Sequence, residues 1–323
     1  MLWNAWKSCA VLATLAISCA AGAGPRELRS VDDSYTVSQR YYAYKEQYPQ
    51  LQWPTLVFQP GQQVLFDRLY KQSGERELHI DVFLPDAVRA TRKAIVLVHG
   101  GGWRSGNKSN FYAMANLLAQ RGYAVFLPEY RLSPEATYPD GLVDINDAIV
   151  WAKGQAGAFG IDPRQIAIGG ESTGGHMAAL IAYTADLGLF KTHVTDDTRV
   201  SALVDLDGVL DLTAPLALKY ENAAGNASPA ALWLGGSMEQ ATERWHEASP
   251  ARYVGAHSPP TLVVTSGEPR FTAGLDEVLA ALRGHGIRCQ IAAFDGTPHA
   301  FWLFDPYVGQ VVEKMDSFLR AEK

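Results

Sequence analysis

At 323 residues with a formal net charge of −6, the chain can form one large domain or two small ones, and its apolar (47%) and charged (19%) fractions suit a globular protein with a sizeable core. The acidic balance, with no Lys/Arg block and no interleaving of basic and aromatic residues, excludes a nucleic-acid surface and favours small neutral or weakly polar partners.

The first residues differ from the rest. Lys7 precedes the apolar run Cys9-Ala10-Val11-Leu12-Ala13-Thr14-Leu15-Ala16-Ile17, and small residues follow to Gly24. The run is too short to span a bilayer and an A-x-A site stands at Ala21-Gly22-Ala23, so 1–23 reads as a secretory signal peptide and the protein as secreted or periplasmic. Lipid attachment at Cys19 is a weaker alternative, because Ala16-Ile17-Ser18 matches the usual Leu-led box poorly. Cys9 and Cys19 fall in this leader, which leaves Cys289 alone and allows no intramolecular disulfide. No close pair of Cys or His has ligand spacing, so neither a metal nor another cofactor is expected.

Residues 24–63 are aromatic and polar without clear periodicity, with Tyr41, Tyr42, Tyr44, Tyr48 and Trp53 among them, and read as an arm that either lines a cleft or covers the sheet edge. From 64 to the C-terminus the pattern is regular. Residues 64–70 and 77–84 alternate in period two around Ser73-Gly74, a β-hairpin signal. The continuous run Ala94-Ile95-Val96-Leu97-Val98 marks a strand buried on both faces of a parallel sheet. Helices are then predicted over 110–121, 140–153, 173–180, 276–283 and 312–319, with strands over 123–127, 165–168, 202–206, 261–265 and 289–294. Strands alternating with helices mean an α/β domain with a mainly parallel sheet and helices on both faces. Residues 212–253, between the strands ending near Leu206 and Thr265, are rich in Ala, Trp and small polar residues and read as a cap insertion. Cys289 lies in the alternating Ile287-Arg288-Cys289-Gln290-Ile291 and reads as a small core residue.

The chemistry centres on Gly170-Glu171-Ser172-Thr173-Gly174, set where a short apolar strand gives way to a helix. That context is what the G-x-S-x-G turn requires, since the glycines leave room for a strained bend that lifts the serine hydroxyl above the sheet. At the end of the strand over 94–98 stands His99-Gly100-Gly101-Gly102-Trp103, where glycines let backbone N–H groups approach a ligand. The N–H groups of Gly101, Gly102 and Thr173 would then supply an oxyanion hole, with His99 propping the loop. A serine needs a base, because an alcohol is a poor nucleophile at neutral pH. Of eight histidines, His299 in Asp295-Gly296-Thr297-Pro298-His299 follows the last strand in a turn-rich loop and suits that role, whereas His176 lies one turn beyond the serine and reads as facing the sheet. Two carboxylates compete to orient it: Glu268, directly after the strand over 261–265, and Asp207, at the tip of the strand before. Asp276 reads as a helix cap and Asp211 as an anchor of the cap insertion.

Together with Glu129-Tyr130-Arg131-Leu132-Ser133-Pro134-Glu135, Tyr138-Pro139 and Gly160-Ile161-Asp162-Pro163, these motifs resemble the α/β-hydrolase superfamily, in its esterase branch with an H-G-G-G-W loop. The likeness runs from Val64 to the C-terminus and implies the hydrolase fold, serine esterase chemistry and the roles given to Ser172, His299, Gly101, Gly102 and Thr173. Relatives usually carry Asp where Glu268 stands and an aromatic residue where Asp207 stands; the exchange implies that the acid has moved to the neighbouring strand and ranks Asp207 ahead of Glu268. The segments Gly208-Val209-Leu210-Asp211, Pro269-Arg270-Phe271 and 298–304 are similar to a secreted subgroup that accompanies plant-polysaccharide-degrading enzymes, implying a short-chain, acetyl-type ester on a plant-derived carbohydrate. Trp103, Phe301 and Trp302 are candidates to stack on a sugar ring. General carboxylesterase, lipase-like or feruloyl esterase activity is the alternative; a prolyl-type peptidase or a non-catalytic module on the same fold stands behind it.

Overall fold

In chain order the strands are β1 (Gln63–Ser73), β2 (Arg76–Leu84), β3 (Ala94–Val98), β4 (Ala124–Pro128), β5 (Ile166–Glu171), β6 (Leu203–Leu206), β7 (Thr261–Thr265) and β8 (Cys289–Ala293). They form one sheet in the order β1-β2-β4-β3-β5-β6-β7-β8. The hairpin β1–β2 turns at Gly74 and is antiparallel, β2 runs antiparallel to β4, and from β4 to β8 every pairing is parallel. The computed structural model describes residues 32–133 and 135–321, with the backbone alone of Asn226; the leader read at 1–23, with Cys19, lies outside the described residues.

The helices are α1 (Val37–Tyr44), α2 (Tyr112–Gln120), α3 (Asp140–Gly154), α4 (Thr173–Thr184), α5 (Pro215–Ala224), α6 (Pro229–Leu234), α7 (Thr242–Glu247), α8 (Leu275–Gly284) and α9 (Tyr307–Arg320). Strand alternation divides the core into two layers. Val96 and Val98 face one layer with Ile145 and Ile149 of α3, Leu180 of α4 and Leu279 of α8, while Ile95 and Leu97 face the other with Leu118 of α2 and Val312 and Phe318 of α9. Both faces of β3, β4, β5, β6 and β7 are covered, which is why their sequences carry no polar alternation. β8 is one of the two edges, and Cys289 on it is only partly buried. Among the described residues no helix is long and apolar enough to cross a membrane.

The arm belongs to the same compact unit from Asp32 onward. Its helix α1 is capped by Thr36, whose Oγ1 accepts from Gln39 N at 3.1 Å, and only half-buries Val37, Tyr41 and Tyr44 against the second core layer, so its apolar stripe is faint. The arm is held instead by Tyr35 and Leu51, which enter the second core layer, and by the Gln52–Asp305 backbone bridge. Burying Leu51 alone contributes about 2 kcal/mol. Between β6 and β7 lie the three short helices α5, α6 and α7.

Candidate active site

The parallel register sets the tips of β3, β5 and β6 side by side, Val98 opposite Gly170 and Glu171 opposite Leu206. Ser172 follows β5 and immediately precedes α4, with φ +53° and ψ −122°, a region a non-glycine residue enters at about 1–3 kcal/mol. Its N–H donates to Leu206 O (2.7 Å) and its carbonyl accepts from His176 N (3.0 Å), so the turn is fixed from both sides. The glycines are required by contact: a Cβ on Gly170 would lie 2.2 Å from Gly174 O, and one on Gly174 would lie 2.1 Å from Val98 O.

The loop after β3 bends through Gly101 (φ +121°) and Gly102 (φ +66°), closed by Ser105 N donating to Gly101 O at 2.9 Å. His99 supports it from beneath. Burial pushes this imidazole down to about 4, so it is neutral at physiological pH and its Nδ1–H donates to Gly100 O (2.9 Å). Its ring stacks on Tyr130 at 4.6 Å, and the Tyr130 hydroxyl donates to His99 O. Gly100 N donates to the Glu171 carboxylate at 3.0 Å, whereas the N–H groups of Gly101, Gly102 and Thr173 have no acceptor among the described residues. These three are free to bind an anion at the end of the sheet where ligands settle.

Asp207 lies just past β6 with φ +53° and is 1% exposed. One carboxylate oxygen accepts from Ser266 N (2.8 Å) and the other from His299 Nδ1 (3.0 Å). With Nδ1–H given to the carboxylate, Nε2 of His299 carries the lone pair a base needs. Phe271 lies flat on the imidazole, 3.7 Å between centroids and 8° between planes, and Trp302 meets it edge-on at 5.2 Å. Phe271 is itself held from the cap, since Arg270 lies over its ring and pairs with Glu221 of α5.

The other carboxylates stand elsewhere. Glu268 is exposed, with its N–H on Ser266 Oγ (3.2 Å), and Asp276 is exposed in the first turn of α8. The geometry therefore gives no support to either as the partner of His299, because the chain turns outward after β7 while Asp207 turns inward. Asp205, two residues before Asp207, lies against Gly175 of α4, and its Oδ1 accepts from Gly208 N in the loop after β6; burial raises its carboxyl well above the ordinary value. Asp211 accepts from the N–H and hydroxyl of Thr213 at the entrance to the cap.

The sugar-stacking wall expected from Trp103, Phe301 and Trp302 does not form. Phe301 and Trp302 are fully buried and Trp103 is 4% exposed, so none offers a face to a sugar. They fill the second core layer or, for Trp103, stack on Trp233 of the cap at 4.8 Å. His176 turns under the cap, its Nε2 bonded to Ala248 O (2.7 Å) and its ring edge-on to Trp103 and Trp233. Among the described residues no cluster of three or more His, Cys, Asp or Glu side chains is arranged to hold a metal ion.

Sequence reasoning also missed Glu171, Tyr35 and Phe271. The one local hint was a carboxylate ending a strand buried along its whole length, where a charge is expensive unless it is bonded.

His99 and His176 set a pH limit on stability. Burial lowers the pKa of both rings to about 4, below the ordinary 6.5, so between these values they stay mostly neutral in the fold while the unfolded chain binds protons, and stability falls as pH drops from 6.5 towards 4. Each contributes a loss of about 3 kcal/mol across that window. Thermal melts from pH 7 to 4.5 should show a steep fall that is roughly halved in His176→Phe; equal slopes in both proteins would contradict this.

Comparison with known proteins shows that the BD-FAE family model matches residues 80–269. The probable carboxylic ester hydrolase LipM of Mycobacterium tuberculosis is 37% identical over 142 residues, which cover 43% of this chain and 33% of that protein. The chain spans less than half the length of the curated relatives it matches. Among solved structures, the esterase Est2 of the Planctomycetes species Thermogutta terrifontis, with propionate bound, superposes with a TM-score of 0.63 at 26% identity, covering 80% of this chain and 94% of that one. A truncated carbohydrate esterase from gut microbiota shares the fold, with a TM-score of 0.67 at 21% identity over 80% of this chain and 95% of that one. With the strand order above, these neighbours identify an α/β-hydrolase fold.

Proposed function

The chain belongs to the BD-FAE family, and from that premise and the site geometry we propose that it is a serine ester hydrolase. The observation that carries the reading is the 3.0 Å bond from His299 Nδ1 to Asp207 at the strand tip beside the strained Ser172 turn. Ser172 Oγ attacks the ester carbonyl while His299 Nε2 takes its proton, and Asp207 stabilises the imidazolium. The carbonyl oxygen, now anionic, receives the N–H groups of Gly101, Gly102 and Thr173. Collapse expels the alcohol, which takes the proton from His299, and leaves an acyl-serine ester. Water attacks that ester by the same route, and the acid and Ser172 hydroxyl are regenerated.

The acyl group is short. Pro229 of α6 would stand 3.4 Å from a Cβ on Gly102, so the cap lies directly over the oxyanion loop, and Est2 holds a three-carbon acid. Acetyl on a plant-derived carbohydrate, in a secreted or periplasmic protein, is the finer reading, supported by the likeness of residues 208–211, 269–271 and 298–304 to secreted carbohydrate-directed esterases and by the leader pattern at 1–23. The test is a series of p-nitrophenyl esters beside a prolyl anilide, followed by acetate release from acetylated oligosaccharides. The expected result is kcat/KM at least about tenfold higher for acetate than for octanoate, with no turnover of the anilide. Preference for octanoate would move the assignment to a lipase-like esterase, preferred turnover of the anilide to a peptidase.

A further inference from the structure

We propose that Tyr35 and Glu171 are positioning residues through which the N-terminal arm sets the oxyanion loop and the histidine loop against each other, an inference that rests on the serine-esterase reading.

Glu171, the residue before the nucleophile, is fully buried. Its Oε1 accepts from Gly100 N at 3.0 Å, and its Oε2 accepts from Trp302 Nε1 at 2.9 Å and from the Tyr35 hydroxyl. Gly100 adjoins the oxyanion donors, Trp302 lies three residues after His299 and packs edge-on to its ring, and Tyr35 is in the arm. One carboxylate therefore joins three segments that lie 71, 131 and 136 residues from it in sequence. All three partners donate, and only a carboxylate has acceptor sites for every one; an amide would set its own NH₂ against an N–H or leave a donor unpaired.

The arm grips the oxyanion loop at its far end as well. Tyr35 N donates to Ser105 Oγ (3.0 Å), the Ser105 hydroxyl donates to Asp32 O (2.6 Å), and Arg104 pairs with Asp32 at 2.7 Å. Ser105 N in turn closes the loop on Gly101 O. Both ends of the loop bearing Gly101 and Gly102 thus depend on the segment around Tyr35.

A staple of the core alone would change stability and leave turnover as it was. A positioning role predicts a fall in kcat at unchanged KM, because the donors and the base matter most in the transition state. Tyr35→Phe keeps the ring packing and removes only the hydroxyl; Glu171→Gln keeps the shape and turns one of the two acceptor oxygens into a donor. With p-nitrophenyl acetate, at a temperature where melting curves show each variant folded, kcat is expected to fall about tenfold in Tyr35→Phe and about a hundredfold in Glu171→Gln, with KM within about twofold. The same contacts can be read from the other end, since Tyr35 and Glu171 join the arm to the turn that carries Ser172. Phosphonylation of Ser172 by a fluorophosphonate should slow amide exchange in α1 of the parent protein but not in Tyr35→Phe. A lowered melting temperature with kcat and the exchange response both unchanged in Tyr35→Phe would overturn the proposal, and that variant decides the matter if Glu171→Gln does not fold. Failure of the esterase reading is distinct: the parent protein would itself neither turn over the ester nor take up the label.

Discussion

Replacing Asp207 with asparagine is expected to lower kcat for p-nitrophenyl acetate by about 10⁴, while Glu268→Gln changes it by less than about twofold. The Asp207 carboxylate holds His299 by Nδ1–H at 3.0 Å, and its other oxygen is fixed by Ser266 N at 2.8 Å. An amide in its place presents either an NH₂ to the imidazole, forcing the tautomer with the proton on Nε2, or an NH₂ against Ser266 N–H. The first loses the base and the second loses the geometry. Glu268 has no such reach, being exposed on the outward turn after β7. Steady-state rates of the two variants beside the parent check the claim, and a reversed order would move the orienting role to Glu268.

Ser172→Ala is expected to cost about 10⁶ in kcat with little change in melting temperature. Alanine meets the same backbone penalty at φ +53° as serine does, and the hydroxyl makes no hydrogen bond within the fold among the described residues, so the turn loses nothing but its nucleophile. A variant that retained more than about a hundredth of the parent rate would show that the chemistry runs elsewhere.

Much of this site is legible in the chain because its signals are local. The five-residue apolar run at 94–98 and the shorter Leu262-Val263-Val264 within 261–265 read as strands since both faces of the sheet are covered, and Gly100, Gly101, Gly170 and Gly174 mark close approaches that no side chain permits. β5 nevertheless extends to Glu171, beyond the 165–168 reading, because the glycines that make room for the turn carry no apolar signal. The choice between Asp207 and Glu268 is not a matter of period or composition: the family resemblance ranks Asp207 ahead, and the direction of the backbone after each strand sets Asp207 alone against His299. Phe301 and Trp302 mislead in the opposite sense, since an aromatic residue beside a histidine reads equally well as a ligand wall or as the core that α9 covers. The arm was least legible. α1 buries no residue fully, and Tyr35 meets Glu171 across 136 residues, a contact that only the folded chain creates.

If Ser172 is the nucleophile of a serine esterase, a fluorophosphonate must label it, as intact mass and the labelled peptide would show. One adduct per chain is expected, on Ser172, absent in Ser172→Ala and formed far more slowly in Asp207→Asn. No adduct, or one mapped to another residue, would contradict it.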